Sequence, residues 1–383
     1  MMPEAIAALT EQISNFGNAS SLHATGRAAR KKVEEARESI ARSVGCAPSE
    51  VIFTGSGTES NNLAIKGFHW SAIAHNPNRN VVIVSAFEHH ATLEPVEWLE
   101  EHEGAIVRRI PISPAGIVDL KALTAIIESE RDRISVICVM HSNNEIGTIQ
   151  PIKEIVALAG SIPVHCDAVQ SFGKVAFDFE ELGLHSATIS AHKIGGPFGI
   201  AALILKNGID ITPVLHGGGQ ERDIRSGTLN TPAIVAFGVA SRLSIEERDR
   251  NYEVVSGLRR LLATVVNEAV SDAQINGNSA HMLPGILSVT FPGTEGDSLL
   301  VMLDNVGIST STGSACSAGV QRTSHVLLAL GLSETVARGT LRFSLGRTTT
   351  ESEVIRVGEV IAGIVMKARA ALTIAGKGGG EKA

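Results

Sequence analysis

Aromatic residues are scarce in this chain. One Tyr, two Trp and eleven Phe stand among 383 residues, too little material for a base-stacking surface. Positive charge is not in excess either. Lys and Arg number 33 against 40 Asp and Glu, a formal net charge of −7, which argues against nucleic acid as the main ligand. The four cysteines, Cys46, Cys138, Cys166 and Cys316, are scattered and form no C-x-x-C pair. That fits a reducing compartment rather than a disulfide framework. No stretch approaches the ~20 apolar residues of a membrane span. The start, Met1-Met-Pro-Glu-Ala, has neither a basic leader nor a long apolar run. The expectation is a soluble, cytoplasmic protein with no membrane and no direct nucleic-acid partner.

What is plentiful is core material: 44% of the residues are hydrophobic, and the length suits about two domains. Up to about Gly45 the pattern is polar and helical, with an amphipathic helix over Ala29 to Val44. Strands are then expected at Val51–Thr54, from Val81, at Ile134–Met140, Pro163–Asp167, Ala187–Ser190 and Gly199–Leu205. Helices are expected at Glu59–Gly67, Leu93–His102 and Ile152–Ala159. Continuous Val/Ile runs separated by helices imply a largely parallel sheet covered on both faces, an α/β fold. A long helical stretch follows, from Pro232 to about Ala269. The pattern then changes to that of a smaller α+β domain, with strands near Leu287 and Leu341 and a last helix from Glu351. This gives a large domain over 1–249, a small one over 250–373, and a glycine-rich tail, 374–383, expected to be disordered.

Four stretches carry chemistry. In Ser190-Ala-His-Lys193-Ile-Gly-Gly-Pro197 a strand stops at His192 and Lys193 and the chain turns straight back into an apolar run. A lysine there sits at a sheet end, where open α/β sheets bind ligands. Apolar walls would lower its pKa by desolvation and suit it to Schiff-base chemistry. Thr54-Gly-Ser-Gly57-Thr58-Glu follows a strand and opens a helix, so its free N–H groups form an anion cup. It is neither a dinucleotide fingerprint, because Ser60 stands at the third glycine, nor a Walker loop, because the lysine is absent. Strand ends also deliver Glu88-His89-His90, His141 to Glu145, and His165-Cys-Asp167 to one edge. His89, His90, His141, His165, Cys166 and Asp167 are plausible metal ligands, yet no helical H-x-x-x-H or finger-like spacing joins them. A buried Asp167 needs a partner, and a protonated pyridine nitrogen is one. Finally, Cys316 lies in a run of Ser, Thr, Ala and Gly, unlike Cys138 in its apolar strand. A loop cysteine among small polar residues is a reactive-thiol candidate.

Together these stretches resemble the cysteine desulfurases of iron–sulfur assembly and nitrogen fixation, fold-type I pyridoxal phosphate enzymes. The matches run in family order along nearly the whole chain: Phe16 to His23, Phe53 to Ser60, Glu88-His89, Asn143 to Gly147, Asp167-x-x-Gln170, Ser190 to Lys193, Gly217 to Arg222, Arg225 to Thr228, Gly313 to Cys316, Ser324 to Leu327 and Arg342 to Arg347. The resemblance implies a seven-stranded-type sheet and the cofactor pyridoxal 5'-phosphate, bonded covalently to Lys193. It implies that His89 stacks on the pyridine ring and Asp167 pairs with the ring nitrogen. Gln170 and Asn144 bond the phenolic oxygen or the substrate. Gly57, Thr58, Ser190 and His192 hold the phosphate, with Thr228 reaching across from the partner of a homodimer. Arg342 clamps the carboxylate of L-cysteine. Cys316 takes the sulfur as a persulfide, passes it to an iron–sulfur scaffold or another acceptor protein, and is the one candidate metal ligand, shared with an iron–sulfur cluster. Two departures stand out. The family's usual first strand, of the type Tyr-Leu-Asp-Asn-Ala-Ala-Thr-Thr-Pro, is not in this sequence, and Val320-Gln-Arg-Thr323 stands where Leu-Glu-Pro is common. The competing expectations are a selenocysteine lyase or aminotransferase of the same fold, and a catalytically impaired scaffold.

Overall fold

The computed structural model describes residues 1–15, 17–277, 280–313 and 323–378. The chain divides into two compact units. The first comprises Met1–Pro111, Val118–Ser142 and Gln150–Asp249. The second comprises Ile112–Ile117, Asn143–Ile149 and the chain from Arg250 on.

The first unit is built on seven strands: β1 (Val51–Thr54), β2 (Val81–Ser85), β3 (Ile106–Ile110), β4 (Ile134–Cys138), β5 (Val164–Asp167), β6 (Ser186–Ser190) and β7 (Ala201–Leu205). They form one sheet in the order β1-β7-β6-β5-β4-β2-β3. Only β7 runs against its neighbours. In β1, β2, β4, β5, β6 and β7 every residue is buried, because helices cover both faces and an uninterrupted Val/Ile run has apolar surroundings on either side. β3, at the sheet edge, did not announce itself. Arg108 and Arg109 interrupt its apolar pattern, and Arg108 is tied to Glu130 by a 3.0 Å bond from Nε to Oε1.

The strand–turn–helix expected around Thr54 to Glu59 forms. The helix Gly57–His75 starts directly after β1, and the Ser56 hydroxyl oxygen accepts the N–H of Glu59. This is the cap that Ser supplies at a helix start. The helical stretch from Pro232 resolves into two helices, Thr231–Glu246 and Arg248–Ala269, parted at Glu247. The charged run Glu246 to Arg250 has no apolar residue to bury, so nothing holds one axis through it.

A buried ion pair pins the segment that follows β7. Arg37 donates from Nη2 to Glu221 Oε1 (2.7 Å) and from Nη1 to Oε2 (2.8 Å), and the N–H of Phe53 in β1 donates to the same carboxylate (2.7 Å). Glu221, Arg222 and Asp223 all hold positive φ, at 47°, 58° and 62°. Each costs about 1 kcal/mol or more outside glycine, so the pair offsets local strain.

The second unit has a three-stranded antiparallel sheet of β8 (Gln274–Asn276), β9 (Ile286–Thr290) and β10 (Thr340–Ser344), with β9 in the middle. Val289, Phe291, Leu341 and Phe343 pack with Leu262, Leu299, Ile361 and Val365 from the covering helices. The last helix runs on to Gly378, so it takes in the first five residues of the tail expected to be disordered. Ala370, Ala371 and Leu372 before it are strong helix formers and favour that continuation. Residues 379–383 lie outside the described residues.

The Arg37–Glu221 pair yields a direct prediction. Both side chains are almost fully inside, at 11% and 2% exposure, so removing Glu221 leaves the buried Arg37 only the half-exposed Glu34, 3.1 Å from its Nε, as a counter-charge. Glu221→Ala should lower the free energy of unfolding by about 3–5 kcal/mol. Denaturant titration checks this; a loss under about 1 kcal/mol would contradict the reading.

Candidate active site

In the first unit the ends of β4, β5 and β6 and the start of the helix Gly57–His75 gather the expected groups. Asp167 closes β5 and is 6% exposed. Its Oδ2 accepts from Asn61 Nδ2 at 2.7 Å, and its Oδ1 accepts the N–H of Val169 at 2.9 Å. Each oxygen therefore has a fixed donor, which answers the cost of burying a carboxyl group. Asn61 in turn meets His165, whose Nε2 lies 3.0 Å from Asn61 Oδ1 and whose Nδ1 lies 2.8 Å from Ser186 Oγ. Burial pushes the His165 imidazole down to about 3.

The cup and the lysine turn adjoin β5 and β6. A Cβ added at Gly57 would come within 3.1 Å of Val169 and 3.6 Å of Thr188, so glycine lets the helix start press against the strand ends. Thr58 is exposed on its first turn. The Glu59 carboxylate accepts the N–H of Gly55 (2.9 Å) and the Nε–H of Arg225 (2.6 Å), which ties the Arg225–Thr228 segment to the helix start. Thr228 itself is exposed. Ser190 ends β6, buried, with its hydroxyl 2.8 Å from His192 Nδ1. Desolvation lowers the pKa of His192, and the charges of Lys193 and Lys174 lower it further. Lys174, His192 and Lys193 are thus close enough to act on one another.

Lys193 follows in a short 3₁₀ turn, Ala191–Ile194, closed by Gly195 at φ +81°. The N–H of Met2 donates to Gly195 O at 2.7 Å. Here one expectation fails. Lys193 is exposed, so its own unit does not supply the apolar walls anticipated for it. Ala191 and Ile194 of the same turn are buried, while His192 and Lys193 between them face outward. His89 is also exposed. It caps the helix His90–Glu103, its Nδ1 accepting the N–H of Ala91 at 3.0 Å. An acceptor at Nδ1 puts the proton of the neutral ring on Nε2. Gln170 accepts from Lys174 Nζ at 3.1 Å. Beneath His89, Glu88 is fully buried and accepts from the Ser85 hydroxyl and from the N–H of Met140 (2.7 Å). Burial raises it to about 8, with the Asp167 charge adding to the rise.

The second unit holds the other expected groups. Arg342 lies on β10 and donates from Nη1 to the Asn144 carbonyl (3.0 Å) and from Nη2 to Ser311 Oγ (3.2 Å). Its buried Nε has no partner among the described residues. Desolvation lowers its pKa, and Glu145 opposes this. Glu145 was missed as a functional residue in its own right. Its Oε2 accepts from Ser324 Oγ at 2.5 Å and also stands where any Cβ at Gly313 would fall. Burial raises Glu145 to about 7, against the pull of the Ser324 bond and the Arg342 charge. Gly313 and Ser324 flank residues 314–322, which include Cys316, Val320, Gln321 and Arg322. That stretch, like Phe16, lies outside the described residues.

The three other cysteines are held as thiols. Burial pushes Cys46 up to about 12, with Glu50 and Asp178 adding. Cys138 and Cys166 are buried and raised well above the ordinary range by desolvation, then by Glu88 in one case and by Asp167 and Glu88 in the other. The proposed metal ligands do not assemble. Among the described residues no group of three or more His, Cys, Asp or Glu is placed to hold an ion. No described helix is long and apolar enough to cross a membrane.

The family model for aminotransferase class V matches residues 1–357. The chain belongs to the class-V aminotransferase family. Its relatives lie in the cysteine desulfurase branch. An IscS-like cysteine desulfurase of Mycobacterium tuberculosis is 45% identical over 98% of this chain and 96% of its own length. A cysteine desulfurase IscS of Dictyoglomus turgidum is 41% identical over 92% and 89%. Among solved structures, a NifS-like protein superposes with a TM-score of 0.86 at 32% identity, covering 98% of this chain and 96% of its own. The protein SspA, solved in complex with cysteine, gives 0.79 at 33% identity over 91% and 97%. The α/β architecture expected from the sequence is the architecture of this family.

Glu145 generates a prediction with a definite sign. A carboxyl near 4.5 when unfolded and about 7 when folded binds its proton more tightly in the fold. Its contribution to stability therefore falls as pH rises from about 4.5 through 7. Glu145→Gln removes the titration and keeps an acceptor for Ser324. The variant should gain stability relative to the parent between pH 5 and 8, read as the difference of their melting temperatures. A difference that is flat or reversed with pH would contradict the assignment.

Proposed function

We propose that the protein removes sulfur from L-cysteine, releasing L-alanine and leaving a persulfide on Cys316. One observation carries this most strongly. A chain aligned over nearly its full length with cysteine desulfurases keeps a buried, donor-fixed Asp167 at one strand end and Lys193 with Ser190 and His192 at the next. The donor set fits pyridoxal phosphate. The N–H groups at Gly57 and Thr58, with Ser190 and His192, suit the phosphate, and Asp167 offers an acceptor to a protonated ring nitrogen. Lys193 supplies the amine that would bond the cofactor, and His89 supplies a face for its ring.

When bound, the cofactor serves as the electron sink for the substrate. The chain's own residues do the rest. Arg342 holds the substrate carboxylate, and Asn144 and Gln170 orient it. The Lys193 amine or the His89 imidazole moves the Cα proton. The Cys316 thiolate attacks the substrate sulfur, so a sulfur–sulfur bond forms as the carbon–sulfur bond breaks. The bonding pair stays with the carbon skeleton, which takes up a proton and leaves as alanine. Cysteine and a thiol thus become alanine and a persulfide, with no outside oxidant or reductant. Cys316 is the acceptor by its setting among small polar residues, and the high pKa values of Cys46, Cys138 and Cys166 weigh against those three. We further assign a homodimer, in which the exposed Thr228 completes the partner's phosphate site, a cytoplasmic location, and an iron–sulfur scaffold or other sulfur acceptor as recipient.

Two variants test the residue assignments. Borohydride reduction followed by mass spectrometry should find the pyridoxyl group on the Lys193 peptide and nowhere in Lys193→Ala. Cys316→Ser should still bind cysteine yet lose sulfide release by about three orders of magnitude. A Cys316→Ser protein with near-parental activity would overturn the sulfur-acceptor assignment.

A further inference from the structure

Asp167 is the last member of a buried chain of hydrogen bonds whose donors all point one way. Its carboxylate can only accept, so the 2.7 Å contact fixes Nδ2 of Asn61 as the donor and Oδ1 as the atom facing His165. An amide oxygen can only accept, so His165 must carry its proton on Nε2. Its Nδ1 then accepts from the hydroxyl of Ser186, 2.8 Å away. The order is Ser186 to His165 to Asn61 to Asp167, and all four side chains are buried. His165 is neutral because burial holds it near 3, so the three donors are dipoles and the carboxylate is the one charge in the chain. The chain follows from the fold. His165 and Asp167 are two apart on β5 and share a face, Ser186 is the cross-strand partner of His165 on β6, and Asn61 is one helical turn from Gly57.

We propose that Asn61 and His165 are positioning residues that aim the Asp167 carboxylate at the ring nitrogen of the cofactor and hold it in its charged form. This rests on the pyridoxal phosphate reading above. Aligned bonds in a low-dielectric interior polarise one another, and every donor hydrogen in the chain points toward Asp167, so the links together put positive potential there and favour the charged carboxylate that a protonated ring nitrogen needs. Asn61 also has Thr92 Oγ1 at 3.4 Å, which fixes the second hydrogen of its amide and hence its orientation.

The test compares pyridoxal phosphate with 1-deaza-pyridoxal phosphate, in which carbon replaces the ring nitrogen, by equilibrium titration of the apoprotein. The parent should prefer the natural cofactor. Asn61→Ala should shrink that preference by about tenfold, because the carboxylate is then no longer held toward the one atom in which the two cofactors differ. Ser186→Ala, three bonds from the carboxylate and without reach to the cofactor, should shrink it by about two- to threefold and guards against misfolding of the first variant. Equal weakening of both cofactors in the variants would reduce Asn61 and Ser186 to structural residues and overturn the inference. A parent with no preference between the two cofactors would instead overturn the pairing of Asp167 with a ring nitrogen, the reading on which the inference rests.

Discussion

A single carboxylate, that of Asp167, sets the terms for the first unit. A charge brought to the end of a buried strand has to be met by donors on all sides, and the surrounding elements are placed to meet it. β5 carries it, the Val169 N–H holds one oxygen, and the helix after the anion cup brings Asn61 to the other. The helix can come so close because Gly57 has no side chain to strike Val169 and Thr188. The same approach sets the helix start against Ser190, whose Cβ would lie 3.8 Å from a Cβ at Gly57. Acceptor and anion cup are therefore consequences of one packing arrangement.

Near this charge, in the same unit, other buried ionisable groups are held neutral. His141 and His165 are pushed down by burial, to about 4 and about 3, while Glu88 is pushed up to about 8. Desolvation is the first cause in all three. The fixed charges at this sheet edge are therefore few, and each acts in surroundings that screen it little.

Much of this was legible in the sequence, for identifiable reasons. Strand ends showed where Val/Ile runs stop at polar residues, and that alone located His89, Asp167 and Lys193. The cup was legible because a strand, two glycines and a capping serine stand in order. Alternation on β5 also held a signal that was left unused: His165 shares a face with Asp167, so it belongs to the carboxylate rather than to a metal. Glu145 gave no such signal. Its importance comes from Gly313 and Ser324, which lie more than 160 positions away and meet it only in the fold. The edge strand Ile106–Ile110 was hidden by its arginines, and the exposure of Lys193 by a short 3₁₀ turn whose facing strand periodicity does not report.

The central claim is that the sulfur of cysteine moves to the protein while the carbon skeleton leaves as alanine. A single turnover with limiting L-cysteine, without added reductant, measures it directly. Alanine and protein-bound sulfur, quantified in the same sample, should appear in equal amounts. Pyruvate or another keto acid in place of alanine, or alanine without bound sulfur, would contradict the account.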